Sequence, residues 1–458
     1  MVKIDLKKSR IAVFGTGVTG LSVARFLSAR NLPFVFVDSR EKPPALSEIQ
    51  SMYPETHVYT GPFTTTVLTD IDLIVVSPGI SLEEPVLVEA CARGIEIIGD
   101  LALFCSVASA PVVGITGSNG KSTVTSLVGE MASASGFNVG VGGNLGIPML
   151  DLLAENRQLY ILELSSFQLD TAFNNNIAVA ALLNISSDHM DRYATMEKYI
   201  GAKHRIFSTA SIAVVNREDS LTVPTRVKSL VSFGLDEPGE SDFGVRSQQG
   251  VDYLCKGKKL LIALESIALK GAHNVANVAA AVAIGDSIGL PYSSMLQVLK
   301  DFDGLPHRCQ TVTTVNDVLF INDSKGTNVG ATSAAITSFG LSRRKNIILI
   351  AGGRGKGQDF RPLAQAASEF VKLCIVFGED ADQIGRSLYS LVVVDMVSTL
   401  VEAVALATVK AEVGDTVLFS PACASFDQFS GYEERGNTFA QAVLSSAGSV
   451  INGRRDLC

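Results

Sequence analysis

The feature that most constrains the fold of this 458-residue chain is a recurring alternation of apolar runs and helical stretches. Short runs such as "IAVF", "FVFV", "DLIVV", "LYILEL", "NIILIA", "KLCIVF" and "DTVLF" end in glycine or polar residues, and stretches with apolar residues at helical spacing lie between them. An unalternated apolar run of this length reads as a strand covered on both faces, and strands separated by helices pair in parallel. The rhythm breaks at two places, around residues 99–112 ("GD", then "SVASAP") and near "DGLPHR" at 303–308. Three consecutive α/β domains are therefore expected, over residues 1–99, 100–304 and 305–458. Residues 231–270 depart from the rhythm and read as short antiparallel strands and turns, after which "GAHNVANVAAAVAIGDSIG" resumes as a small-residue helix.

Composition excludes several functional classes. The chain is 47% hydrophobic and 18% charged, as a globular protein is, and its net charge of -8 disfavours a nucleic-acid or anionic-membrane partner. Seven cysteines are scattered without a C-x-x-C pair, which reads as free thiols in a reducing compartment. No run approaches the roughly 20 apolar residues of a membrane span, and the basic start "MVKIDLKKSR" leads into a glycine-broken strand and not a signal peptide. A cytoplasmic monomer without membrane insertion is the expectation.

Two glycine-rich turns carry the first chemistry. Residues 114–123, "GITGSNGKST", nearly fit G-x-x-x-x-G-K-[ST], with Ile115 where the first glycine would stand and extra glycines at 114 and 117. In such a loop backbone N–H groups cradle phosphate, the lysine neutralises it and a hydroxyl binds Mg2+. A strand before it and the helical "STVTSLVGEMASASG" after it supply the required context, and a Gly/Ser turn with an exposed lysine is the plain alternative. Residues 15–20, "GTGVTG", match G-x-G-x-x-G after a strand, and Asp38 ends the next strand. Alone, that fingerprint indicates a dinucleotide site, although such a turn accepts the diphosphate of any nucleotide, and its glycines could also serve packing only.

Glu163 closes the run "LYILELSS", where a Mg2+ ligand near a phosphate loop belongs, or where a capping carboxylate would sit. His189 in "NISSDHMDRY" stands between Asp188 and Asp191, as a metal ligand or as a satisfied structural histidine. Pattern alone does not distinguish Lys203 from a helix-surface lysine. In the last third, "NDSKGTN", "AGGRGKGQDF" and "SPACASFDQFSGYEERG" are polar loops at strand ends, and their cations suit a carboxylate substrate.

Taken together, "GSNGKST", "ELSSFQL", "NISSDHMDRY", "GAHNVAN", "GLPHR" and "DSKGTN" occur in the order and at the spacing of the Mur ligase family, which the chain resembles from about residue 10 to residue 440. The shortened phosphate loop is normal for that family. The resemblance implies a Rossmann-like UDP-binding domain, a central P-loop-type ATP-binding domain and a Rossmann-like C-terminal domain that binds an amino acid. It implies an ATP- and Mg2+-dependent amide ligase of peptidoglycan precursor synthesis, with UDP-N-acetylmuramoyl-L-alanine and D-glutamate as substrates and an acyl phosphate between them.

Residue by residue, the resemblance gives ATP to Gly117, Ser118, Asn119, Gly120, Lys121, Ser122, Thr123, Asn277, Arg308 and Asp323. It implies two Mg2+ ions, one on Ser122 and Glu163 and the other on His189 with Lys203, the latter as a carbamylated lysine. Lys121, His189 and Lys203 become the catalytic set. Gly17, Val18, Thr19, Asp38, Ser39, Arg40, Ser77, Pro78, Gly79, Asn144 and Ser165 would receive the UDP-sugar. Lys325, Thr327, Lys356, Ser425 and Tyr432 would surround D-glutamate, with Phe429 competing with Tyr432 for the aromatic place. A sister ligase using another amino acid is the nearest alternative. A nicotinamide oxidoreductase explains "GTGVTG" and Asp38 but leaves Lys121, Glu163 and His189 without work.

Overall fold

The computed structural model describes residues 6–7, 9–172, 176–341 and 344–453. Two compact units emerge. One runs to Ile185 and takes in Glu197–Ala268 and Ala276–Asp301, and the other comprises Ser186–Met196, Leu269–Val275 and the chain from Phe302 onward.

The first unit contains two sheets. Strands β1 (Ile11–Phe14), β2 (Phe34–Asp38), β3 (Val58–Thr60), β4 (Leu73–Val76) and β5 (Glu96–Gly99) form a parallel sheet in the order β3-β2-β1-β4-β5. Strand order reverses beside β1, so a crevice opens where β1 and β4 end, directly at the glycine-rich first turn. Ala12, Phe14, Ile74 and Val76 pack one face of this sheet against Val86, Leu87 and Ala90 of the helix Pro85–Ala92.

The second sheet has nine strands, β6 (Val112–Thr116), β7 (Val139–Gly143), β8 (Leu159–Glu163), β9 (Val179–Leu182), β10 (Ile212–Asn216), β11 (Leu230–Phe233), β12 (Phe243–Gln248), β13 (Val251–Lys256) and β14 (Lys259–Ala263). Their order is β14-β13-β12-β11-β10-β9-β6-β8-β7. Pairing is parallel from β7 across to β12 and antiparallel through β12, β13 and β14, so the antiparallel reading of residues 231–270 holds for the last three strands. Residues 99–112, read as a break in the pattern, contain the helix Asp100–Val107. Leu101, Leu103 and Phe104 are all fully buried, and a helix covered on every side shows no amphipathic period to read.

The second unit holds β15 (Gln310–Val315), β16 (Val318–Asn322), β17 (Ile347–Gly352), β18 (Val371–Phe377), β19 (Val393–Met396) and β20 (Thr416–Phe419), ordered β15-β16-β20-β17-β18-β19. Among these described strands, only β15 is antiparallel to its neighbour. The side-chain period of two is visible in β17: Ile347, Leu349 and Ala351 enter one core, and Ile348 and Ile350 enter the core on the opposite face. Because β16, β20 and β17 are adjacent, the three polar loops that follow them emerge side by side. Among the described residues, no helix is long and apolar enough to cross a membrane.

Candidate active site

The loop after β6 has the geometry that phosphate binding requires. Gly120, at φ +81°, ends the loop and starts the helix Lys121–Ala134, and a β-carbon there would run into Asn277 Oδ1. Glycine is therefore needed for conformation and space alike, and Asn277 lies against the loop. Asn184, just beyond β9, braces the turn: its carbonyl accepts from Ser118 N at 2.9 Å, and its Oδ1 accepts from Asn119 N at 2.8 Å. Lys121 Nζ donates to the carbonyls of Gly117 (2.8 Å) and Ser118 (2.9 Å).

Lys203, on the helix Met196–His204, is 2% exposed, and its Nζ donates to the same Gly117 carbonyl at 2.8 Å. It also lies 4.7 Å from the centroid of the Tyr199 ring, whose hydroxyl is 3.0 Å from Ser118 Oγ. A lysine that looked like surface in the sequence is thus a buried cation under the phosphate loop, and Tyr199 and Asn184 are its unheralded supports.

Glu163, buried at the end of β8, accepts from Ser122 Oγ at 2.5 Å through Oε2 and from Asn144 Nδ2 at 2.6 Å through Oε1. Buried Thr123 follows in the first helical turn. A hydroxyl and a carboxylate side by side form an oxygen set suited to a hard cation. Among the described residues, no three His, Cys, Asp or Glu side chains form a ready-made cage. The pair Ser122 and Glu163 has the chemistry of a Mg2+ site, which commonly takes one or two protein oxygens and completes its shell with phosphate and water.

A cavity of about 650 Å3 opens where β1 and β4 end, and its far wall comes from the loop after β7. Gly17, Val18, Thr19, Asp38, Ser39, Arg40, Ser77, Pro78, Gly79 and Asn144 all line it, and so do Asp100 and Gln168, to which the sequence drew no attention. Ser165 is not in the lining. It caps the helix Ser166–Asp170 in a reciprocal capping box with Gln168.

The Asp38 carboxylate is fully occupied within the protein. Oδ2 accepts from Thr16 N (3.0 Å), Thr16 Oγ1 (2.5 Å) and Arg40 Nη2 (2.7 Å), while Oδ1 accepts from Arg40 N (3.0 Å) and Nε (2.8 Å). Burial pushes this carboxyl up, but the donors from Arg40 and Thr16 outweigh it and hold the group well below the usual carboxylate range. An acid that reads a ribose needs a free lone pair, and this one spends its acceptor capacity on the first turn and Arg40.

In the second unit, His189 has φ +57°, and its ring Nε2 lies 3.7 Å from Asp188 Oδ2. Asp188 also accepts from Asn328 Nδ2 at 3.2 Å, tying this segment to the start of the helix Val329–Phe339. Asp323 is buried, with Ser420 Oγ (2.7 Å) and Cys309 N (3.2 Å) donating to it. Burial raises its carboxyl to about 6, against these donors and the nearby charge of half-buried Arg308.

Lys325 Nζ stands 3.7 Å from the centroid of the Tyr432 ring, a cation–π contact, and the His307 ring is 6.3 Å from the same ring. Phe429 instead packs against the sheet's core, so Tyr432 is the aromatic that faces the cation. Thr327 N donates to Lys325 O at 2.8 Å in a tight turn. Gln358 fastens the neighbouring loops, donating to Ala422 O at 2.6 Å and accepting from Val329 N at 3.1 Å. Half-buried Lys356, at φ +55°, and buried Ser425 lie in the two loops thus joined.

Sequence reasoning also passed over Arg435. It is fully buried, its Nε and Nη2 donate to Ser324 Oγ (3.1 Å) and Ser324 O (2.8 Å), and burial lowers its guanidinium to about 10. An arginine in "GYEERG" resembles any helix-surface charge, and only the closing of the loops around it buries it.

Known proteins resemble this chain along nearly its whole length. Three family models match in order: "Mur ligase MurD-like, N-terminal domain" over residues 9–99, "Mur ligase middle domain" over 115–285, and "Mur ligase, glutamate ligase domain" over 307–423. The UDP-N-acetylmuramoylalanine–D-glutamate ligase of Legionella pneumophila (strain Paris) is 46% identical over 445 residues, covering 96% of this chain and 99% of that protein. Its namesake from Pseudomonas aeruginosa is 48% identical over 433 residues, covering 94% and 97%. Among solved structures, the UDP-N-acetylmuramate–alanine ligase of Thermotoga maritima shares the fold at a TM-score of 0.59 and 19% identity, over 96% of this chain and 100% of that one. The MurF ligase of the same organism, solved in complex with ADP, does so at 0.61 and 17%, over 90% and 96%.

Proposed function

This chain belongs to the Mur ligase family, and we propose that it joins D-glutamate to UDP-N-acetylmuramoyl-L-alanine with conversion of ATP to ADP and phosphate. The observation that carries the reading is near-full-length identity of 46–48% to relatives bearing that name. The phosphate loop and the separate cavity at the first turn support it, because the reaction needs two nucleotide sites. A dehydrogenase needs only one, and the saturated Asp38 suits it poorly.

The chemistry follows from a carboxylate being a poor electrophile. A carboxylate oxygen of the alanyl group attacks the γ-phosphorus, ADP leaves, and the resulting acyl phosphate has a competent leaving group. The amine nitrogen of D-glutamate then attacks the acyl carbon, phosphate departs, and the amine proton is lost as the amide forms. Lys121 and the N–H groups of residues 117–120 would hold and neutralise the phosphates, so positioning and electrostatics supply the catalysis. Mg2+ on Ser122 and Glu163 would supply further charge neutralisation. Asn277, Arg308 and Asp323 would contact the nucleotide.

Lys325, Thr327, Lys356, Ser425 and Tyr432 would receive D-glutamate, whose two carboxylates suit the two lysines. A second Mg2+ on His189 and a carbamylated Lys203 complete the proposal. Carbamylation would convert a buried cation into an anionic oxygen ligand, whose charge the metal would neutralise. We assign the three domains to residues 1–99, 100–304 and 305–458, and the protein to the cytoplasm as a monomer. The test is phosphate release from ATP with UDP-N-acetylmuramoyl-L-alanine across single amino acids of both chiralities. Release that needs D-glutamate supports the reading. Release with another amino acid moves the chain to a sister reaction, and none at all refutes ligation.

A further inference from the structure

We propose that Asp100 is a positioning residue for the sugar-nucleotide cavity: through Gln168 it fixes which amide atom faces the substrate. The inference rests on the cavity being the sugar-nucleotide site. Asp100 is 4% exposed, directly follows β5 and lines the cavity beside Gln168. Its Oδ1 accepts from Leu101 N at 2.9 Å, and its Oδ2 accepts from Gln168 Nε2 at 2.9 Å. At its other end Gln168 Oε1 accepts from Ser165 N at 3.0 Å.

A backbone donor thus dictates where the amide oxygen lies, and a carboxylate dictates where the nitrogen lies. Neither partner tolerates the flipped amide, which would set N–H against N–H and oxygen against carboxylate. The second N–H of Gln168 remains for the cavity, where it suits an oxygen acceptor such as a sugar hydroxyl, an acyl carbonyl or a phosphate. The bond also spans the two walls, since Asp100 extends the first sheet and Gln168 follows β8 of the second.

Both side chains line the cavity, so the bond stands at the wall the substrate would meet. Burial pushes the Asp100 carboxyl up to about 6, against the hydrogen bonds from Gln168 and Leu101. At neutral pH the ionised group is held at a cost in stability, as is common for groups kept for function.

The test compares Asp100→Asn, Gln168→Glu and the double variant by steady-state kinetics. In Asp100→Asn the oxygen stays with Leu101 N, so the new NH2 opposes Gln168 Nε2. In Gln168→Glu the capping box survives, but two carboxylates face each other. In the double variant the new amide at position 100 donates to the new carboxylate at position 168, so the hydrogen bond and the net charge return with the polarity reversed. Each single change should raise KM for UDP-N-acetylmuramoyl-L-alanine about ten-fold, with kcat and the KM for ATP within about threefold of wild type. The double variant restores the bond between positions 100 and 168 but not the N–H that faces the cavity, so its melting temperature should return towards wild type while its KM for the sugar nucleotide stays raised about ten-fold.

If wild type turns over and Asp100→Asn leaves the sugar-nucleotide KM unchanged, the inference falls alone. A double variant whose sugar-nucleotide KM returns to the wild-type value together with the hydrogen bond also overturns it, because the bond alone would then suffice. Should Asp100→Asn fail to fold, the comparison of Gln168→Glu with the double variant decides the same question. Wild type that does not turn over refutes the functional reading, and this inference with it.

Discussion

Replacing Asp38 with asparagine tests whether this acid holds the first turn or reads a ligand. Five donors from Thr16 and Arg40 converge on its two oxygens. Asparagine keeps one oxygen, so either the Thr16 pair with Arg40 Nη2, or Arg40 N with Nε, meets an NH2 group instead of an acceptor. At least two charge-assisted bonds are lost, each contributing about 1.5–3 kcal/mol when buried. The Arg40 side chain is 51% exposed and regains water, which discounts its share. A loss of about 2–3 kcal/mol remains, or roughly a 10–14 °C fall in the melting temperature of the domain over residues 1–99.

The assay is thermal unfolding alongside equilibrium binding of the UDP-sugar and of ATP. Sugar-nucleotide affinity should fall about ten-fold, because Arg40 and the first turn lose their anchor, while ATP binding holds. The sign with pH is also fixed. The folded carboxyl is depressed, so its stabilisation is complete above the ordinary value of 3.8 and is lost only as pH falls towards the folded value. Unchanged melting with abolished sugar-nucleotide binding would refute the reasoning and make Asp38 a direct ligand.

Three further outcomes are expected. Lys121→Ala should abolish phosphate release while leaving sugar-nucleotide binding within about threefold, since the loop and the cavity are lined by different residues; joint loss would mean one shared site. Tyr432→Ala should raise KM for D-glutamate about ten-fold with little change in melting, whereas Phe429→Ala should lower melting and spare that KM; the reverse pattern would exchange their roles. His273 is held neutral by burial, which lowers it from 6.5 to about 4, with Ser338 Oγ 2.6 Å from its Nδ1. Its contribution is therefore full above pH 6.5 and falls by about 3 kcal/mol on going down to pH 4. Denaturant titrations of wild type and His273→Asn across that range should diverge accordingly, and parallel curves would show that the histidine does not titrate with folding.

Much of the architecture was legible because its strands are covered on both faces. Continuous apolar runs such as "NIILIA" have few other uses, and glycine turns mark where they end. Local geometry was legible for the same reason at Gly120, where a positive φ and a crowded β-carbon position leave glycine alone. The buried helix Asp100–Val107 was not, because burial on all sides erases the period that marks a helix.

For the candidate site, the division runs between backbone and environment. Sequence by itself determined which turns could cradle phosphate and which acid closed a strand beside them, since both depend on residues a few positions apart. Only tertiary structure decided that Lys203 and Arg435 are buried cations, that Asp38 is saturated by Thr16 and Arg40, and that Asp100 meets Gln168 sixty-eight positions away. Burial and partnership are properties of packing between distant segments. A lysine on a helix face carries the same local pattern whether that face meets water or the underside of a phosphate loop.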